Sequence, residues 1–154
     1  MTSLAHQTLV EHQILEHVKD ALRLTLEMKV SSASLARKLS SVRFMAQSFQ
    51  RHLDRLLDLE EDGGYMEMVR ERRPQLTDEA TRLRHEHAEL RELLASIQLG
   101  LEGLADDDEE RFHGVCHKLH DLLDRLDEHD AQEINLLEQV LIDTRNIDTR
   151  NAVS

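Results

Sequence analysis

Ten histidines stand among 154 residues, and several of them sit beside carboxylates where an apolar stripe is interrupted. Glu11 precedes His12, and Glu86 precedes His87. His52 is followed two turns later by Glu60, and His129 is followed by Asp130 and, one turn on, by Glu133. A buried ionisable group is costly unless it is paired or bound to a metal. Imidazole and carboxylate donors facing inward from several helices suit iron, zinc or manganese. His129 and Glu133, four residues apart, share one helix face. Two cations bridged by a carboxylate leave positions open for a small ligand such as oxygen, peroxide or nitric oxide. The candidate metal ligands are His12, His52, Glu60, His87, His129 and Glu133.

These residues need elements to position them, and the chain supplies long helical patterns. Leu15, Val18, Leu22 and Leu26 recur at helical period in a first helix expected from Leu4 to Met28. The polar, β-branched stretch 30–34 breaks it, and Ser32 or Ser34 is placed to cap the next helix. That second helix is expected over 35–61, on Leu39, Val42, Ala46, Phe49, Leu53 and Leu57, with the glycines of EDGG ending it. YMEMVRERRP reads as a short helical or irregular connection. Thr77 or Asp78 then caps a third helix running to about Leu101, striped by Ala80, Leu83, Leu90, Leu94 and Ile97. Acids at 106–110 precede a fourth helix, expected from Glu109 to Ile142, where the helix dipole favours them. Four amphipathic helices with short connections imply an all-α, up-down-up-down four-helix bundle over residues 1–144. Residues 145–154, which begin inside the tandem IDTRN of 142–151, read as a polar, fraying tail.

The interruptions fall at a common depth in such a bundle. Measured in residues from the turn near Ser32, His12 and His52 are level. His52 and His87 are level across the second connection, and His129 and Glu133 fall nearer the level of Glu60. All lie in the third of the bundle farthest from the first and third connections. In direction, His87, Asp130, Glu133 and Glu60 point near the centre of their stripes, whereas His12, His52 and His129 lie near the edges. Glu11 points inward better than His12.

Composition narrows the function. A net charge of −12 leaves no concentrated basic surface for nucleic acid and disfavours an anionic membrane. The single Cys116, on an apolar helical face, reads as a small buried hydrophobe and excludes a cysteine-based zinc site. The N-terminus has no signal-peptide pattern and no apolar run approaches a membrane span, so a soluble cytoplasmic protein is expected. Nucleophile elbows, P-loops and Gly-rich dinucleotide turns are missing from the chain. Any catalysis would therefore come from a metal. His113, His117 and His120 turn away from the apolar stripe and read as surface residues.

The motifs EHQIL (11–15), EHAEL (86–90), RHLDRLLDLEE (51–61) and HDAQE (129–133) together resemble the hemerythrin-like, or HHE, cation-binding family. The resemblance covers nearly the whole chain. It implies a four-helix bundle holding non-haem iron, as a single ion or a pair, with His12, His52, His87, His129 and Glu133 as ligands. It also implies a role in sensing, storing or detoxifying oxygen, peroxide or nitric oxide. The family places a Glu one turn after its second-helix His, where this chain has Leu56. Its members that bind oxygen best also carry a second third-helix His one turn from the first, where this chain has Leu83 and Arg91. Glu60 lies about 12 Å along the axis from His52 at ~1.5 Å per residue, so it would replace the missing Glu only in a rearranged site. The alternative is a metal-free helical interaction module, docking a partner or a second copy of itself as a homodimer, whose core His and Glu pair with one another, for instance His87 with Glu60 or Glu133.

Overall fold

The computed structural model describes residues 4–29, 34–62 and 65–153, with side chains described over 6–29, 34–62 and 67–142. Every regular element among them is helical. The helices are α1 (Leu4–Glu27), α2 (Leu35–Asp62), α3 (Tyr65–Arg72), α4 (Thr77–Glu102) and α5 (Glu109–Val153), with a one-turn 3₁₀ helix at Pro74–Leu76 before α4. Five α-helices thus stand where four were expected, because the YMEMVRER connection closes into two turns of its own. Helix α5 continues through the tandem IDTRN to Val153. The side chains of that stretch, the cap expected at Ser32 and the glycines of EDGG lie outside the described residues.

Each long helix packs on two others: α1 on α2 and α5, and α4 on α2 and α5. Their apolar stripes meet in a main core running from Leu22, Leu39, Phe49 and Leu101 to Leu15, Leu57, Leu90 and Leu126. A second, smaller core joins Val69 of α3 to Ala80 and Leu83 of α4 and to Leu136, Leu137 and Val140 of α5. Helix α3 is short but anchors this second core, with Val69 fully buried. The candidate ligands lie between the two cores: His87 between Leu83 and Leu90, His129 and Glu133 between Leu126 and Leu136, and Glu60 just after Leu57. Cys116 is buried in the main core, and burial pushes its thiol up to about 11, so it stays protonated.

Helix ends are finished by long cations from neighbouring helices. Lys38 Nζ donates to the carbonyls of Leu26 and Met28, both at 2.8 Å, at the end of α1. Arg43 donates to Leu101 O from Nε at 2.9 Å and from Nη2 at 2.7 Å, and to Leu104 O at 2.8 Å, at the end of α4. Both satisfy carbonyls that have no intrahelical donor and sit at the negative end of a helix dipole. At the start of α4 neither Thr77 nor Asp78 caps the helix. The cap position is Leu76, with no side-chain bond, because the chain enters α4 directly from the 3₁₀ turn. At α5 the expected acid is in place: Asp108 Oδ1 accepts from the Arg111 backbone N–H at 3.3 Å.

Arg43→Ala should remove the guanidinium from both carbonyls, leaving Leu101 O with its long 3.4 Å bond from the Leu104 N–H. A loss of about 1–3 kcal/mol of stability is expected, read as a lower urea midpoint with unchanged slope; an unaltered midpoint would show that water replaces the guanidinium without cost.

Candidate metal centre

Glu133 of α5 is at the centre of the polar band, with no exposed surface. Its Oε1 lies 2.6 Å from Nε2 of His87 and 2.6 Å from Nε2 of His129. Its Oε2 lies 3.2 Å from Nε2 of His12. Glu60 of α2 closes the ring from the opposite side, with Oε1 2.9 Å from His12 Nε2 and Oε2 3.0 Å from His87 Nε2. Three imidazoles from α1, α4 and α5 therefore turn the same ring nitrogen toward two carboxylates. The donor atoms form two overlapping groups, His87–His129–Glu133 and His12–Glu60–Glu133, each with its atoms within 4.8 Å of one another.

The outer ring nitrogens face carboxylates as well. His129 Nδ1 is 2.7 Å from Glu86 Oε2, His87 Nδ1 is 3.4 Å from Glu61 Oε1, and His12 Nδ1 is 3.6 Å from Asp130 Oδ1. A carboxylate behind Nδ1 keeps the proton on that nitrogen and turns the Nε2 lone pair inward, the arrangement that metal-ligating histidines use. Each outer carboxylate is held in turn. Arg82 Nη1 donates to Glu86 at 2.6 Å, and Arg91 Nη1 donates to Glu61 Oε1 at 3.0 Å. Lys19 Nζ donates to Asp130 Oδ2 at 2.8 Å.

Lys19 was not singled out from the sequence, although the signal is there. Leu15, Lys19, Leu22 and Leu26 fall on one stripe at spacings of four, three and four, which puts an ammonium in the core. It is 1% exposed and also holds Asp127 and Glu16, each at 2.8 Å. The pairing raises its pKa further despite burial, so Lys19 is a fixed positive charge.

Five of the six candidate ligands converge; His52 does not. It is half-buried on the flank of α2 and belongs to neither donor group. Glu60, not His52, is level with His12. One contribution is the lean of helical side chains toward the N-terminus of their own helix, about one residue on each helix. In these antiparallel contacts the α1 and α4 side chains lean toward the far end of the bundle, while those of α2 and α5 lean back. A ligand on α2 must therefore sit farther along the chain than equal heights of Cα atoms suggest. Glu11 is half-buried beside the α1–α2 groove and His12 takes the inward place, contrary to the direction read from the stripe. Leu56 and Leu83 are core residues, and Arg91 reaches across to Asp58 and Glu61 of α2. His113 and His117 are exposed, as expected.

The protonation of the ring follows from crowding. Burial by itself disfavours charged imidazole at His12 and His87, but the facing Glu133 and Glu60 outweigh it and raise both to about 10. His129 is also raised, its burial outweighed by Glu133 and Glu86. Glu60 is pushed up to about 7, first by burial and then by the adjacent Glu133. Glu133 is held well below the usual carboxylate range, because its hydrogen-bonding neighbours outweigh burial. The ring thus collects positive charge around two carboxylates. A divalent cation would supply that charge while displacing the protons.

The donor set fits a cation on a second ground. Both oxygens of Glu60, Oε2 of Glu133, Oδ1 of Asp130 and both ring nitrogens of His12 are buried without a hydrogen bond of proper geometry. Such atoms are rare in a native core and call for a partner. Nitrogen and oxygen donors with no thiolate suit iron, manganese or zinc. Comparison with protein-family models, with curated proteins and with solved structures gives no match.

The raised imidazoles fix a pH dependence. Groups shifted from 6.5 to about 10 on folding stabilise the metal-stripped protein fully below pH 6.5, and that contribution is lost as pH rises through 10. The metal-stripped chain should therefore melt several degrees lower at pH 10 than at pH 7, as followed by circular dichroism. A melting temperature that rises over that range would contradict the ring's geometry.

Proposed function

We propose that the chain is a hemerythrin-like, up-down-up-down four-helix bundle that holds non-haem iron, one or two ions, between α1, α2, α4 and α5. In this reading it is a cytoplasmic protein that senses, stores or detoxifies oxygen, peroxide or nitric oxide. The observation that carries the reading is the convergence of three Nε2 atoms on two buried carboxylates, with a carboxylate in hydrogen-bond reach of Nδ1 at His87 and His129 and one 3.6 Å from Nδ1 at His12. His12, His87 and His129 would hold the metal through Nε2, with Glu60 and Glu133 as carboxylate ligands. Zinc or manganese would satisfy the same donors. Among the described residues no helix is long and apolar enough to cross a membrane.

Within the family's pattern, Glu60 in the bridging role makes Leu56 the occupant of the second-helix His position. Leu56 is buried in the main core, so this side of the site is apolar and one nitrogen donor short. A bound iron pair would supply the electrons for binding or reducing oxygen. The chain's own residues would exclude water, through Leu56, Leu83 and Leu90, and hold the ligands in orientation, through Asp130, Glu61 and Glu86.

The second reading is a metal-free interaction module. It is favoured by the short contacts of Glu133 with His87 and His129, which complete an ion-pair core without a metal. The two readings differ in how the chain responds to chelation. If metal is bound only by the native state, its removal lowers the melting temperature. A fall of several degrees on dialysis against a chelator, reversed by Fe(II) under argon and absent in Glu133→Gln, is expected. Equal melting temperatures with and without chelator would favour the interaction module.

A further inference from the structure

Both donor groups use Glu133, and Glu60 Oε2 also lies 3.0 Å from His87 Nε2, but the groups differ in their number of imidazoles. The first, completed by His87 and His129, offers two imidazole nitrogens and one carboxylate oxygen. The second, completed by His12 and Glu60, offers one nitrogen and two oxygens. Their surroundings differ in the same sense. His129 and His87 have their outer nitrogens toward Glu86 at 2.7 Å and Glu61 at 3.4 Å, and both rings meet edge to face with centroids 5.2 Å apart. His12 has its outer nitrogen 3.6 Å from Asp130, beyond a proper hydrogen bond. His12 also borders a groove between α1 and α5 of about 310 Å³, whose rim carries Glu16 and Glu138.

Resting on the reading of this pocket as a metal centre, we propose that its two positions are unlike. The nitrogen-rich position at His87 and His129 takes the borderline ion, iron(II) or zinc(II), first and tightly. The oxygen-rich position at His12 and Glu60, beside the acidic groove, fills second, exchanges faster and accepts the harder manganese(II). Imidazole donors enlarge the preference for zinc over manganese, and carboxylate donors reduce it. A site with one nitrogen and two oxygens therefore discriminates less, so a limiting borderline ion collects at the first position and manganese occupies the second. Glu138, beside the Glu16 that Lys19 holds, adds negative charge at the groove that His12 borders.

The test is a titration of the full-length, metal-stripped chain with one equivalent of zinc(II) and excess manganese(II), followed by desalting and elemental analysis, with electron paramagnetic resonance of the manganese. One zinc and one manganese per chain are expected, and the same composition when manganese is added first. His129→Ala should hold a single ion, the one equivalent of zinc moving to the remaining position and the manganese being lost; His12→Ala should keep the zinc at the first position and lose the manganese. Helix content by circular dichroism identifies any variant that fails to fold, and the wild-type titration stands without the variants. Two manganese ions, or fractional zinc shared between both positions, would show equivalent sites and overturn the inference while leaving the metal centre intact. No retained metal of either kind would overturn the inference and the metal-centre reading together.

Discussion

Two carboxylates, Glu60 and Glu133, are held almost fully buried against each other, and everything else in this half of the bundle answers that constraint. Like charges in a low-dielectric interior cannot both ionise without positive charge close by. Three imidazoles from three helices supply it at 2.6–3.2 Å. Each imidazole then needs its outer nitrogen satisfied, which brings in Asp130, Glu61 and Glu86. Those acids in turn need Lys19, Arg91 and Arg82. The network therefore alternates in sign from the centre to the surface. Removing one member leaves a buried charge uncompensated, which costs more than any single pair contributes.

The polar band is also what divides the hydrophobic interior. The main core ends at Leu15, Leu57, Leu90 and Leu126, and the second core begins at Leu83 and Leu136. Helix α3 covers the far end, with Val69 packed against Ala80, Leu83 and Val140. Without that cover the band would lie near an open end of the bundle, where water would solvate the carboxylates and weaken every contact among them. The eight residues of α3 thus contribute to the chemistry of the site through burial rather than through any ligand.

Much of this was legible in the sequence. Stripe breaks at Glu86-His87 and His129–Glu133 located two sides of the site, because a buried polar group stands out against a Leu-rich helix. The second helix was misread by two turns at His52. Residue type pointed to the imidazole, and residues counted from the connection did not give the level at which α1 and α2 meet, where Glu60 faces His12. Lys19 escaped notice for a related reason. A lysine is ordinarily read as solvated, and only its place between Leu15 and Leu22 at exact helical spacing marks it as buried. The direction of His12 could not be read from the stripe, since a residue at its edge turns inward or outward according to partners on other helices.

The most direct test of the metal centre is elemental analysis of the chain purified without an affinity tag or chelator. Two metal ions per chain, with iron predominant, are the expected result. No metal, including after anaerobic loading with iron(II), would contradict the account and leave a proton-bridged His–Glu core as the reason these residues are buried.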